Sequence, residues 1–426
     1  MKLQPGRNES GQRHHFDLLA TCVELAGYFR FIRQYAWEIM VFSGVVLRLY
    51  GLSTRREIWL DESMLLKNVS GISPWKFMGP LESEQVVPPG YLMMLRIIQR
   101  LAGDDIFALR LPSFLAATLA FVVFAWFVKK RFSGPVALMA TALFACNADA
   151  LYFAQEMKPY AFDILFTVVV LVVLEFHLNL SILQARHAGF LVLILLMPWF
   201  SIASVFPVSA LFLCLAIREL KGGGITKNTI FAAGLWAISF LATWLIEKNQ
   251  VVAGSNLWVF WNFAFFKPLA PLETICLMAD NLINPMHLIS PLPFALFMFL
   301  WLFSISVILL VGIMHGKKEF QSLIAFGGWA LLMTIIVSSV RIYPFHGRTL
   351  FFFLPVVLIV FTNGLAQAGQ LFGRWQYLLM AILLFTPMAG SVWIRPFDYH
   401  RLIRYDGDLD NDYFLLNYGA MKPVPR

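Results

Sequence analysis

Charge is scarce in this sequence. Asp, Glu, Lys and Arg make up 14% of the 426 residues, where a soluble domain would be about a quarter charged. That deficit excludes an ordinary water-soluble enzyme. Cysteine is also sparse: the four residues Cys22, Cys146, Cys214 and Cys276 lie far apart with no C-x-x-C spacing. Neither a zinc site nor a disulfide framework is indicated, and the cysteines read as small hydrophobes. A cleavable signal peptide is not expected, because residues 1–34 form a long, mixed, basic segment with Lys2, Arg7, Arg13, Arg30 and Arg33. No internal repeat is visible. The net charge of +8 does not point to nucleic acid, because Lys and Arg are scattered through short loops. They fit topology signals and contacts to membrane lipid headgroups better.

Apolar residues fill the space that charge leaves. They account for 59% of the chain, with 41 Phe and a mean hydropathy of +0.71. The expected fold is an all-α polytopic membrane protein. A span needs about 20 mostly apolar residues, and eleven segments qualify: 35–52, 107–128, 135–153, 159–177, 188–203, 204–218, 228–246, 291–314, 320–340, 349–370 and 375–394. The break between the fifth and sixth falls around Pro198 to Pro207. Residues 16–35 have helical apolar spacing suited to the inner membrane surface. Residues 89–101 are apolar on one face, short, and carry Arg96 and Arg100. They read as an interfacial helix.

Basic residues fix the orientation. With residues 1–34 cytoplasmic, the inner loops hold Lys129-Lys130-Arg131, Arg186, Arg218 with Lys221 and Lys227, Lys317-Lys318, and Arg374. This is the positive-inside pattern. Counting 89–101 as a span would reverse every later loop. The outer face then receives four segments: 53–105, the turn at Gln155-Glu156-Met157-Lys158, 247–290, and 341–348. A short polar tail, 395–426, ends on the same face.

Those outer segments hold the unusual polar chemistry. Asp61-Glu62 stands just past the first span; a carboxylate there can act as general base toward a hydroxyl, and the pair also offers oxygen ligands to a divalent cation. In isolation, loop solvation or a helix start is the commoner explanation of such a pair. In Gln155-Glu156-Met157-Lys158-Pro159-Tyr160, Pro159 suits a first helical turn, and Tyr160 and Asp163 share a face. A Glu156–Lys158 surface pair with Tyr160 as an interfacial anchor is the plainer alternative. Asp163 lies inside an apolar span, where an ionisable group is expensive and usually functional. Arg341-Ile342-Tyr343-Pro344-Phe345-His346-Gly347-Arg348 puts two arginines and a histidine on the side that basic loops avoid. The guanidinium fork matches phosphate oxygens; headgroup anchoring is its bland counterpart. Gln85-Val86-Val87-Pro88-Pro89-Gly90-Tyr91 reads as an extended lead into a helix. His287 has no supporting neighbours.

Five of these motifs, in order, carry a resemblance: Asp61-Glu62, Pro88-Pro89-Gly90-Tyr91, Ala108-Leu109-Arg110-Leu111-Pro112, Gln155-Glu156-x-Lys158-Pro159-Tyr160-x-x-Asp163, and Tyr343-Pro344-x-x-Gly347-Arg348. Over residues 35–370 the chain resembles the bacterial branch of the C-type membrane glycosyltransferases. These are related to dolichyl-phosphate-mannose protein mannosyltransferases and to the aminoarabinose transferase of lipid A. The resemblance implies a transmembrane transferase domain over 35–394, with 53–105 as its catalytic first outer loop, in the cytoplasmic (inner) membrane. It implies a polyprenyl-phosphate sugar donor and a glycan, lipid or protein acceptor, with transfer on the outer face.

By the same resemblance Asp61 is the catalytic base and Glu62 its neighbour. Arg341, Arg348, His346 and Lys158 would meet the donor phosphate. Glu156, Tyr160, Asp163, Tyr343 and Gln85 would meet substrate. One departure is clear: those transferases carry a charged residue or histidine directly before the double proline, and Val86-Val87 stand here. No cofactor is singled out, and a divalent metal at Asp61-Glu62 is left open. A transporter or flippase for a lipid-linked or anionic solute is the rival from another class, with Asp163 in its favour.

Overall fold

The structure is a computed structural model that describes residues 34–56, 58, 60–70, 77–175, 188–251, 257, 261–267, 270, 310, 314 and 318–371. Among the described residues every regular element is helical. Helix α1 (Gln34–Ser53) leads to α2 (Leu60–Val69), a 3-10 turn at Glu82–Glu84, and α3 (Pro89–Ala102). Then come α4 (Ile106–Arg131), α5 (Gly134–Ala145), α6 (Ala148–Phe153), α7 (Tyr160–Glu175), α8 (Ala188–Phe200), α9 (Val205–Lys221) and α10 (Lys227–Gln250). A 3-10 turn at Trp261–Ala264 precedes α11 (Lys318–Ser339). Another, Gly347–Phe353, runs into α12 (Leu354–Leu371).

Among the described residues, six helices are long and apolar enough to cross a membrane: Gln34–Ser53, Ile106–Arg131, Ile202–Lys221, Lys227–Gln250, Gln321–Ser339 and Gly347–Gln367. Gly134–Ala145 and Gly189–Phe200 are apolar but shorter. Bulky apolar side chains such as Phe42, Leu49, Leu115, Ile238 and Ile336 remain exposed on the outward faces, as lipid contact requires. This is the architecture of an integral membrane protein.

The count differs from eleven for local reasons. Segment 375–394 and, except for 310 and 314, segment 291–314 lie outside the described residues, as do 1–33 and 395–426. The expected span 135–153 is broken after Ala145, because Asn147 restarts the helix by accepting a bond from the Ala150 N–H at 2.8 Å. Between α8 and α9 the chain turns at Ser201, which accepts from the Ser204 N–H at 3.0 Å. Helix α3, at 14 residues, is too short to span. Pro89 opens it and Gly103 ends it with φ 69°.

The core forms where α4 packs on α5 and α7, α9 on α11, α8 on α10, and α12 on α5. Edge-on rings, Phe121 with Phe144 and Phe124 with Phe144, hold α4 to α5. Gly44 lets α1 close on α4: a Cβ there would lie 2.4 Å from the Phe121 ring. One turn on, Arg48 is fully buried. It donates to the carbonyls of Gly44 (2.9 Å) and Phe144 (3.3 Å), and lies 4.3 Å over the Phe121 ring. The end of α5 thereby gains a cation where its carbonyls need one.

At one end of the bundle Lys129 of α4 meets Glu38 of α1 at 2.7 Å, and Arg131 pairs with Glu175 of α7. The opposite end of these three helices therefore receives Arg56, Arg110 and Lys158 together.

Candidate active site

Glu62 is the anchor of that end. It sits in the first turn of α2 and is 1% exposed. Arg110, one turn into α4, grips it in a fork: Nε donates to Oε1 at 2.8 Å and Nη2 to Oε2 at 2.6 Å. The Met157 N–H adds a bond to Oε1 at 2.8 Å. Arg110 Nη1 also donates to the Arg56 carbonyl at 2.6 Å, and Arg56 Nη2 lies 3.5 Å from Glu62. The Arg56 guanidinium rests 4.2 Å over the Tyr152 ring. A buried carboxylate is tolerable only when its lone pairs are answered in this way.

Asp61, one residue earlier, faces a different set of groups. Arg348 Nη1 donates to its Oδ2 at 2.9 Å, and Lys158 Nζ lies 3.4 Å from its Oδ1. Its side chain is 17% exposed. Burial works against its charge, but Lys158 and Arg348 outweigh that and hold the carboxyl below the ordinary range. Lys158 in turn donates to Gln85 Oε1 at 2.6 Å. Adjacent carboxylates thus have separate jobs: one is tied into the scaffold, and the other stands between two cations that a phosphate would also attract.

The proline-rich motif joins from behind. The Tyr91 hydroxyl lies 3.1 Å from Ser113 Oγ, and Ser113 donates to the Lys158 carbonyl at 2.9 Å. Gly90 is required there, because a Cβ would lie 2.7 Å from the Trp199 carbonyl. Motifs far apart in sequence therefore share one polar cluster. The Val86-Val87 pair is used through its backbone: the Val87 N–H donates to Gln250 Oε1 at 2.8 Å, and Gln250 Nε2 donates back to Val87 O at 3.0 Å and to Phe77 O at 3.1 Å.

Glu156 is fully buried in the turn before α7, and burial followed by the Glu62 charge pushes its carboxyl up to about 7. Tyr160 packs on Phe153 with ring centroids 4.8 Å apart. Asp163 is turned into the bundle and accepts from Ser201 Oγ at 2.6 Å.

The last turn is knotted by Thr349. Its hydroxyl donates to Pro344 O at 2.7 Å, its carbonyl accepts from the Tyr343 hydroxyl at 2.8 Å, and its Oγ1 accepts from the His346 N–H at 3.2 Å. His346 lies edge-on to Trp261 at 6.1 Å, and Arg348 sits 5.1 Å over the same indole. Burial, with Arg348 beside it, lowers the imidazole to about 4, so it is neutral at physiological pH. Arg341 stands apart. It ends α11 in the left-handed region, φ 59°, with its N–H on Ser338 O at 2.9 Å. Its exposed side chain makes no hydrogen bond or ion pair among the described residues.

Arg110, Gln250, Ser113, Thr349 and Ser201 had no assigned role in the sequence reading. The only signal was Arg110 inside one of the ordered motifs. The described residues contain no group of three or more His, Cys, Asp or Glu side chains arranged to hold a metal ion.

No model of a known family matches the sequence, and no curated protein matches it. Among solved structures, the chain is similar to the archaeal oligosaccharyltransferase AglB from Archaeoglobus fulgidus, in complex with an inhibitory peptide and a dolichol-phosphate. The TM-score is 0.49 with 15% sequence identity, and the likeness covers 92% of this chain and 60% of that chain.

Proposed function

We propose that this protein is a membrane glycosyltransferase. It moves a hexosyl or pentosyl group from a polyprenyl phosphate to an acceptor hydroxyl on the outer face of the cytoplasmic membrane, with inversion. The acceptor is a glycan, a lipid or a protein. The observation that carries this reading is Asp61 set between Lys158 and Arg348 at the end of an apolar bundle. A base and two phosphate-binding cations are there within one contact shell.

The chemistry needs little more. A sugar on a phosphate has a good leaving group, so no second carboxylic acid is required to protonate it, unlike glycoside hydrolysis. The donor phosphate draws Arg348 and Lys158 onto its oxygens, and Asp61 is released. Asp61 then takes the proton of the acceptor hydroxyl as that oxygen bonds to C1. The C1–O bond to phosphate breaks, and polyprenyl phosphate leaves with the electron pair. Fixed cations aimed at the growing charge supply a large share of the rate.

Glu62 positions the Asp61 segment through Arg110, and Gln85 positions Lys158. His346, Glu156, Tyr160, Tyr343 and Asp163 line the substrate side in this reading. The motif resemblance to C-type transferases points the same way.

The test is incubation of the purified protein with a polyprenyl-phosphate sugar. An enzyme releases polyprenyl phosphate; a transporter moves the lipid-linked sugar intact. Asp163, the residue that most favours transport, already has Ser201 as a partner.

A further inference from the structure

Glu247 lies one turn before the end of α10, at the same end of the bundle as Asp61. Three residues on, Gln250 holds Val87 and Phe77 of the first loop. The Glu247 side chain is 6% exposed, and its Oε1 has no hydrogen-bond partner among the described residues. Asp61, Glu62 and Asp163 each have a partner: Arg348, Arg110 and Ser201. Leaving a buried polar atom unanswered is costly. An ionisable group inside a membrane helix usually marks a ligand path.

Its neighbours say what kind of ligand. Glu247, Asp163 and Tyr160 all lie within electrostatic reach of Tyr343. Tyr160 in turn is within reach of Asp61 and Arg348. Tyr343 and Tyr160 thus link Glu247 electrostatically to Asp61. The region around Glu247 is also a region of acceptors. The Tyr343 hydroxyl spends its proton on Thr349 O, leaving a lone pair, and Glu247 Oε1 offers another. Such lone pairs would hold a ring carrying O–H or N–H groups.

We propose that Glu247 recognises the transferred sugar, accepting from hydroxyl or ammonium groups remote from the phosphate, so that the site takes a neutral or amino sugar and rejects a uronic acid. This rests on the reading of the chain as a polyprenyl-phosphate-sugar transferase.

The experiment measures binding by full-length protein in nanodiscs. The probes are bare polyprenyl phosphate, its glucosyl and glucosaminyl forms, and its glucuronosyl form. The wild type should bind the first two sugar forms at least ten-fold more tightly than the glucuronosyl form. Glu247→Ala should lose that ranking while binding bare polyprenyl phosphate as before. Glu247→Gln should keep the glucosyl form and lose any advantage of the glucosaminyl form, which separates hydroxyl from ammonium as the group held. Neither variant should unfold at a lower temperature, because an unanswered carboxyl adds nothing to the fold; a structural role would lower it. Unchanged ranking in both variants overturns the proposal, as does a wild type that prefers the glucuronosyl form. Failure of the transferase reading looks different: bare polyprenyl phosphate then does not bind, or binds equally well to Arg348→Ala.

Discussion

Arg348 reaches back 287 positions to place its Nη1 2.9 Å from Asp61 Oδ2. The residue proposed as base is therefore held by the group proposed to receive the phosphate. Asp61→Asn should cut transfer roughly 10²–10⁴-fold, the usual worth of a positioned base, with membrane insertion intact. Release of polyprenyl phosphate by the purified variant is the readout, and near wild-type release would remove Asp61 from that role.

Arg348→Ala acts on the other half of the pair. It should lower donor-dependent kcat/KM by about 10²–10³, typical for one oriented donor at developing charge, with acceptor dependence less affected. Unchanged donor KM together with unchanged kcat sinks the phosphate assignment. Asp61 should also become easier to protonate in this variant, because one of the two cations holding its carboxyl down is gone.

Glu62 and Arg110 should behave as structure. Both are nearly inaccessible, and removing one member leaves a buried charge, at a cost of about 3–5 kcal/mol. Glu62→Gln and Arg110→Ala should each lower the unfolding temperature in detergent. The double substitution Glu62→Leu with Arg110→Met should recover part of that loss. Equal, additive losses would mean that the pair is not coupled.

Glu156 gives a pH signature. Its carboxyl is raised from 4.5 to about 7, so the folded protein holds a proton that the unfolded chain has released. Stability falls as pH rises through that window, and is unaffected by this group below it. Asp61, lowered, acts oppositely at lower pH: its contribution is present above its unfolded value and is lost as pH falls toward the folded one. Thermal unfolding from pH 4.5 to 7.5 should show the Glu156 slope in wild type and a shallower slope in Glu156→Gln. Identical slopes would place the Glu156 proton elsewhere.

Much of the candidate site could be picked out in the sequence because ionisable residues are rare here. Asp61, Lys158 and Arg348 stood out against apolar spans, and the basic loops put them on one side. What the sequence hid was pairing. Nothing in local spacing says that Glu62 is taken by Arg110, 48 positions away, so Glu62 read only as a neighbour of Asp61 and a metal ligand left open. Arg341 and Arg348 looked equivalent, until the left-handed backbone of Arg341 made it the end of a helix. The break at Asn147 was invisible to hydropathy, because apolar residues flank it on both sides. Gln250 escaped for a related reason: a neutral amide at a helix end reads as solvation, and only the fold shows it bonded to a distant loop.

That amide has a consequence for how the protein is made. Val87 waits for a partner 163 residues further along the chain. At the usual pace of synthesis, about 5–20 residues per second, the first loop spends roughly 10–30 s in the membrane before α10 arrives to clamp it. Arg348 emerges later still. The candidate site is therefore assembled from segments far apart in the chain, and its pairing of Asp61 with Arg348 cannot form until Arg348 has been made.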